Sequence, residues 1–564
     1  MPKKKMGINI NNKSVEQVAD GKEGMVATSH PLASRVGAAV LKEGGNAVDA
    51  AAAIVFALNV VEPMMSGIGG SGFMMVHHAE EEKTVVVNGH TRAPLAVTPE
   101  LFLDENGEVI PFKERSTSGK AIGVPGTLKS VEKALEEFGT MKLEQLINPA
   151  IRLAEEGVPV NWVLAHHIDQ FEHRMSKETK ELFLPNGQPL KEGDLLVQKD
   201  LANTLRKIKE HGCDVFYKGE IAEDIVKFAR EKGSELTKND MATYEATLDK
   251  PVWGDFEGHK IASCPPPSSG GVTTLQILKM VELLNIGNHD IASPDKCFIL
   301  SEAMRLGFAD REAFMGDPEF IDIPVDGLLN SEYLKERIAL VDLNVRNPNI
   351  TFGNPWKYQK GSDPYTPVVH HEEKPFGETT HFSVADKYGN VVSHTLTLEH
   401  PFGSGFLVPD LGLMLNNEVT DFDPHPGGSN QVEGGKRPLS SKSPSIVFKD
   451  GRPVMAVGSP GGPTIIASVT QVILNVLTYG LPLKEAVDEA RIYNGEYPLM
   501  IYEEGVSKKV IKELEKRDHV WDENPLPQGL GNVQAVKIGP DNKSFSGACD
   551  MTRQGEAIGI NETK

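Results

Sequence analysis

Residues 380–398 hold the pattern that most restricts this chain. Thr380-His-Phe-Ser-Val-Ala-Asp386 and Val391-Val-Ser-His-Thr-Leu-Thr-Leu398 are β-rich runs, and the residues between them, Lys387-Tyr-Gly-Asn390, are turn formers. The spacing predicts an antiparallel hairpin. If the turn centres on Tyr388-Gly389, Thr379 faces Leu398, and Thr397 lies within one position of directly opposite. A three-residue loop would instead make Thr379 and Thr397 direct partners, with Cα atoms about 4.5–5.5 Å apart. Either register brings two threonine hydroxyls together at the start of a strand. Threonine is common in strands, so this juxtaposition by itself assigns no chemistry.

The amino-terminal part reads as alternating α and β. Gly24–Thr28 predicts a strand, and Pro31 opens a helix that Gly44 and Gly45 would end. Asn46 can cap the next helix, NAVDAAAAIVFALNVVEP, which stops at Pro63 and is apolar enough to be buried. The Gly-rich loop 66–72 leads into strands at Phe73–Val76 and Thr84–Val87. Residues 127–250 carry helical spacing, as in LKSVEKALEEFG and DLANTLRKIKEHG. Pro265-Pro-Pro-Ser-Ser-Gly-Gly271 is a rigid turn into the helix VTTLQILKMVELL. Residues 344–378 form a long loop-like stretch, the main organisational boundary before the hairpin. Beyond it, Ser445–Phe448 and Pro453–Val457 predict strands, followed by the loop Gly458-Ser-Pro-Gly-Gly-Pro463 and a helix to Tyr479.

Composition narrows the partners. With 564 residues, 39% hydrophobic and 24% charged, the chain can bury a large core. A net charge of −21 argues against nucleic acid and against an anionic membrane surface. No stretch reaches the roughly 18 apolar residues of a membrane span. The basic start MPKKK is followed by no apolar run, which leads to the expectation of a cytoplasmic protein, although a chain already stripped of a signal would read the same. Cys213, Cys264, Cys297 and Cys549 are scattered, so free thiols are expected. The adjacent pairs His77–His78, His166–His167 and His370–His371 point apart on helix or strand and are poor chelators, so no metal and no cofactor are expected.

Nine stretches together resemble the γ-glutamyltranspeptidase family. They are GNAVDAAAA at Gly45, SGIGGSGF at Ser66, VPGT at Val124, PPPSSGG at Pro265, EAMRLGFADREAFMGDP at Glu302, ETTHFSV at Glu378, LNNEVTDF at Leu415, KRPLSSKSPSIV at Lys436 and GSPGG at Gly458. They follow one another in family order over about residues 24 to 555. The resemblance implies an α/β fold, the four-layer αββα sandwich of the N-terminal-nucleophile hydrolases. It also implies self-cleavage between Glu378 and Thr379, giving a large fragment 1–378 and a small fragment 379–564 that together form one compact domain. The cut would turn the Thr379 nitrogen from an amide into an amine whose ordinary pKa, about 7.7–8.0, suits a general base. That amine could take the hydroxyl proton as Thr379 attacks an amide carbonyl, and the acyl group would pass to water or to an amino acid or peptide acceptor.

The same resemblance gives Thr397 the role of positioning the nucleophile, and Gly461 and Gly462 the oxyanion hole. Glu418 and Asp421 match positions that hold a donor's α-amino group, and Ser440 and Ser441 match the pair for its α-carboxylate. This sequence departs from the family at two of its site positions. His90 stands where an arginine for the α-carboxylate is usual, with Arg92 two residues later; a neutral imidazole is a weaker carboxylate partner than a guanidinium. Glu399 stands where an asparagine is usual, and with Glu418 and Asp421 it would favour a cationic amine. Residues 423–435 are also shorter than the lid of some members, which suggests an open site. The expected activity is that of a γ-glutamyl hydrolase or transferase on glutathione-like amides. A cephalosporin- or glutaryl-type acylase on the same machinery, and an uncleaved binding relative, are the alternatives.

Overall fold

The computed structural model describes residues 15–361, 364–370, 375, 377–495, 499–522 and 529–561. The basic start at residues 1–14 and His371 lie outside them. Two antiparallel seven-stranded sheets face each other. One runs in the order Glu556–Ile560, Gly24–Thr28, Glu378–Asp386, Val391–Glu399, Ser71–His78, Lys83–Gly89, Thr247–Asp249. The other runs Val18–Gly21, Phe545–Cys549, Gln534–Ile538, Arg452–Gly458, Ser445–Lys449, His259–Ser263, Val252–Phe256.

The layering follows from side-chain alternation along the strands. Met25 and Ala27 pack between the sheets with Phe73, Ile446, Ala456 and Val536, while Val26, between them in sequence, faces the other way. Val26, Met74 and Val76 instead meet the helices Pro31–Lys42 and Ala47–Val61. On the second sheet, Val447, Met455 and Val457 turn outward against the helices Gly270–Leu283, Pro294–Phe314 and Thr464–Leu477. The central strands are buried on both faces, although Glu378–Asp386 and Val391–Glu399 carry buried polar residues such as His381, Ser383 and His394 among their apolar ones, and the result is the αββα sandwich.

Local signals act where the sequence places them. Asn46 caps Ala47–Val61 through a capping box with Asp49, and every residue of that helix is buried. Gly44 adopts φ +93 just beyond the helix Pro31–Lys42. The stretch before the hairpin holds one short 3₁₀ turn, Pro355–Tyr358, among its described residues. All four cysteines are free and buried. Among the described residues no helix is long and apolar enough to cross a membrane.

The hairpin has the three-residue loop: Asp386 N bonds Asn390 O, and the ladder pairs His381 with Thr395 and Thr380 with Leu396. The register then slips by one, so that Glu378 pairs with Glu399. Thr397 and Leu398 therefore share the place opposite Thr379, a bulge that re-aims side chains at the strand end.

Candidate active site

The bulge puts the two threonines in contact. Thr379 Oγ1 donates to Thr397 Oγ1 at 3.3 Å, and Thr397 Oγ1 donates onward to the Glu378 carbonyl oxygen at 2.5 Å. Thr397 Oγ1 also accepts from the Glu399 main-chain N–H at 2.8 Å. One hydroxyl thus touches both the attacking oxygen and the carbonyl just ahead of it in the chain. Thr380, facing the other way, is fixed by Glu62: its hydroxyl donates to Glu62 Oε2 at 2.7 Å, and Ser29 Oγ donates to the same oxygen at 2.8 Å.

Arg553 clamps the Glu378–Thr379 junction from the far end of the chain. Its Nη1 donates to the Thr379 carbonyl at 2.8 Å, and its Nη2 pairs with the Glu378 carboxylate. His167 Nε2 stands 4.0 Å from the other Glu378 oxygen. Burial would raise the Glu378 carboxyl, but the charge of Arg553, with His167 beside it, holds it down at about 2.

Thr379 lies on the wall of an open cleft of about 810 Å³, within the usual range for small-molecule sites. Pro375 and Gly377, just before the junction, line it too. Of the residues expected from sequence, Glu399, Asp421, Ser440, Ser441 and Gly462 join them on the lining. Gly461 and Gly462 have φ of +127 and +57, so glycine is required there. A Cβ on Gly462 would come within 3.0 Å of the Gly377 nitrogen. This loop lies between the strand Arg452–Gly458 and the first turn of the helix Thr464–Leu477, where bare N–H groups can meet a developing oxyanion.

Three other expected residues sit behind or away from this lining. Arg92 is held bidentate by Glu319 at 2.7 and 2.9 Å, with a further bond to the Gly435 carbonyl. His90 is fully buried, bonding Ser71 Oγ through Nδ1 at 3.0 Å and the Pro438 carbonyl through Nε2 at 3.0 Å. Burial, with Lys442 next to it, pushes the imidazole below its usual pKa against the pull of Glu418. Glu418 is also fully buried: its Oε2 takes Ser71 Oγ at 2.5 Å and Lys442 Nζ at 3.2 Å. Burial works against that charge, but Lys442 and the other donors lower the Glu418 carboxyl overall.

The sequence stretches converge on this region through hydrogen bonds. Asn416 Nδ2 bonds the carbonyls of Gly69 and Gly123, and its Oδ1 accepts from Gly123 N, tying LNNEVTDF to SGIGGSGF and to the residue just before VPGT. Ser269 N and Oγ both donate to the Ser440 carbonyl, and Arg311 donates to Ser269 and Ser441, joining three more. Four residues of the site were not singled out from sequence: Arg553, which lies outside every quoted stretch, and Lys442, Arg311 and Ser71, which lie inside three of them. Arg553 is 174 residues from the oxygen it holds. Lys442 lies inside a stretch quoted from sequence, and only its place beside Glu418 draws attention to it.

A threonine pair on an αββα sandwich, set against its own preceding carbonyl beside a glycine-lined cleft, defines an amidohydrolase of the N-terminal-nucleophile class. Residues 33–560 match the sequence model of the Gamma-glutamyltranspeptidase family, and the chain belongs to that family. It is 51% identical over 547 residues to the glutathione hydrolase proenzyme of Bacillus subtilis (strain 168), covering 97% of this chain and 93% of that protein. It is 38% identical to the glutathione hydrolase proenzyme of Escherichia coli (strain K12), covering 94% and 90%. Among solved structures, a cephalosporin acylase from Bacillus halodurans superposes with a TM-score of 0.84 at 27% identity, covering 98% of both chains.

Proposed function

We propose that this chain is a self-processing γ-glutamyl hydrolase and transferase, with Thr379 as nucleophile for both its own cleavage and its substrates. The observation that carries this reading is the Thr397 hydroxyl, bonded at once to Thr379 Oγ1 and to the Glu378 carbonyl oxygen. In the first reaction Thr379 Oγ1 attacks the Glu378 carbonyl carbon. Thr397 steadies the charge that develops on the carbonyl oxygen, and Arg553 holds the groups on either side of the bond. The C–N bond breaks, the nitrogen leaves as the Thr379 amine, and water releases the resulting ester. The fragments 1–378 and 379–564 remain one body, because Glu378–Asp386 pairs with Gly24–Thr28 and that strand pairs with Glu556–Ile560.

In the second reaction the freed amine accepts the Thr379 hydroxyl proton as the oxygen attacks a γ-glutamyl amide such as glutathione. Gly461 and Gly462 receive the oxyanion. Asp421 and Glu399, both on the cleft, favour the donor's ammonium group, and Ser440 and Ser441 its α-carboxylate. Water or an amino acid or peptide acceptor then takes the acyl group. The test is release of p-nitroaniline from γ-glutamyl-p-nitroanilide by fully processed protein, with and without an added dipeptide acceptor. Hydrolysis that the acceptor accelerates supports the reading, and no release by processed protein overturns it.

Two observations keep a glutaryl-type acylase as the second reading: position 90 carries a buried histidine bonded to Ser71 and the Pro438 carbonyl, and the fold superposes closely on a cephalosporin acylase. Faster release from glutaryl- than from γ-glutamyl-p-nitroanilide would favour it.

A further inference from the structure

Ser440 and Ser441 are prepared as donors. Ser440 Oγ accepts from the Lys442 main-chain N–H at 3.2 Å, and Ser441 Oγ accepts from Arg311 Nη2 at 2.9 Å. With an incoming donor on each oxygen, both hydroxyl protons are left to point at a ligand. Two O–H groups on a cleft suit an anion, yet the position where a cation was expected holds a fully buried His90, bonded to Ser71 and the Pro438 carbonyl behind the lining. Arg92 is also elsewhere, bound to Glu319.

A cation is nevertheless present. Lys442 lines the cleft beside the two serines, and its side chain is only 3% exposed. Its described hydrogen bond, to Glu418 Oε2, uses one of the three N–H groups of the ammonium. The same Glu418 oxygen lies 3.4 Å from His90 Nδ1, so Lys442 and position 90 serve one electrostatic niche from two sides. Among the described residues, the other two strong cations on the lining are already engaged. Arg305 is held bidentate by Glu302, and Arg311 donates to Ser269 and Ser441.

Resting on the reading of the chain as a γ-glutamyl enzyme, we propose that Lys442 is the specificity-determining cation for the donor's α-carboxylate, acting with the Ser440 and Ser441 hydroxyls in the place an arginine at position 90 would fill. Glu418 holds the ammonium through that hydrogen bond, and its second oxygen is buried with no hydrogen-bond partner among the described residues. The head group that fits is a zwitterion, with its carboxylate on Lys442 and the serines and its ammonium on the acids. A lysine is a single point charge rather than a two-pronged fork, so it fixes the carboxylate's charge more than its orientation.

Three p-nitroanilides separate the groups: γ-glutamyl carries carboxylate and ammonium, glutaryl only the carboxylate, and 4-aminobutyryl only the ammonium. Lys442→Met should raise KM for γ-glutamyl- and glutaryl-p-nitroanilide by about 10- to 100-fold, the range for losing one charge-assisted hydrogen bond, with a far smaller change for the 4-aminobutyryl compound. Processing into two fragments reports that the variant has folded. Adding His90→Arg to Lys442→Met returns a cation to the same Glu418 oxygen and should lower both raised KM values. This double variant also keeps the buried carboxylate paired if the single one folds poorly. The proposal is overturned if Lys442→Met leaves KM for γ-glutamyl-p-nitroanilide within about twofold of wild type, or if all three anilides lose equally. Wild-type protein that matures but releases nothing from γ-glutamyl-p-nitroanilide would instead overturn the functional reading beneath it.

Discussion

Thr397→Val is the sharpest single perturbation of self-cleavage. Valine keeps the β-branched shape and removes only the hydroxyl. Three contacts go with it: the 2.5 Å bond to the Glu378 carbonyl oxygen, the 3.3 Å bond from Thr379 Oγ1, and the 2.8 Å bond from Glu399 N. The first contact sets the rate. Removing one donor from a developing oxyanion costs about 2.7–4 kcal/mol, or roughly 10²- to 10³-fold. The third sets the stability, since a buried N–H left unpaired costs about 1–3 kcal/mol. The variant should therefore fold with a lowered Tm and convert to two fragments about 10²- to 10³-fold more slowly than wild type. Thr397→Ser keeps the hydroxyl and should stay within about tenfold of wild type. A quenched time course on denaturing gels, started from freshly synthesised precursor, measures all three rates. Thr397→Val maturing as fast as wild type would refute the reasoning, because the carbonyl would then be activated by something else.

Arg553→Met removes the clamp on the junction and should slow the same conversion by roughly 10- to 100-fold, with Arg553→Lys between it and wild type; the gel time course checks this. Gly461→Ala, forced into φ +127, should lower kcat on γ-glutamyl-p-nitroanilide far more than it changes KM, which steady-state kinetics will read. The uncleaved Thr379→Ala protein should lose stability steeply on mild acidification. Burial pushes His30, His394 and His519 down to about 3 and His77 to about 4, so these groups are neutral when folded. Unfolding returns them to about 6.5, so the unfolded state binds more protons below that pH, and stability falls as pH drops from about 6.5 toward 4. Denaturation measured across pH should show these four groups taking up about three to four protons on unfolding near pH 5.5, with His381, which burial also pushes well below its usual value, adding to the uptake; no uptake there would contradict the burial of these rings.

Much of the fold could be read locally because its elements are punctuated. The capping box at Asn46, the Gly-rich loop before Ser71 and the Lys387–Asn390 turn each act on residues a few positions away. The hairpin left two registers open, since turn chemistry alone does not choose between a two- and a three-residue loop. The two hairpin strands are flanked by strands brought in from residues 24–28 and 71–78, which no local signal in the hairpin supplies. In the site, Thr379 and Thr397 were readable because one hairpin carries both. Arg553 and Lys442 were not, because an arginine or lysine in sequence reads as a solvated charge until the fold buries it beside a distant carboxylate. The expected role of His90 shows the same limit from the other side. Its slot was identified by position, but its burial and its lowered pKa follow from the packed interior and from a lysine 352 residues away in sequence.

Mass spectrometry of purified wild-type protein beside Thr379→Ala tests the central claim most directly. The account predicts a wild-type fragment whose first residue is Thr379, with its partner ending at Glu378, and a Thr379→Ala chain that stays whole and turns nothing over. A wild-type chain that releases p-nitroaniline from γ-glutamyl-p-nitroanilide while its 378–379 bond remains intact would contradict it.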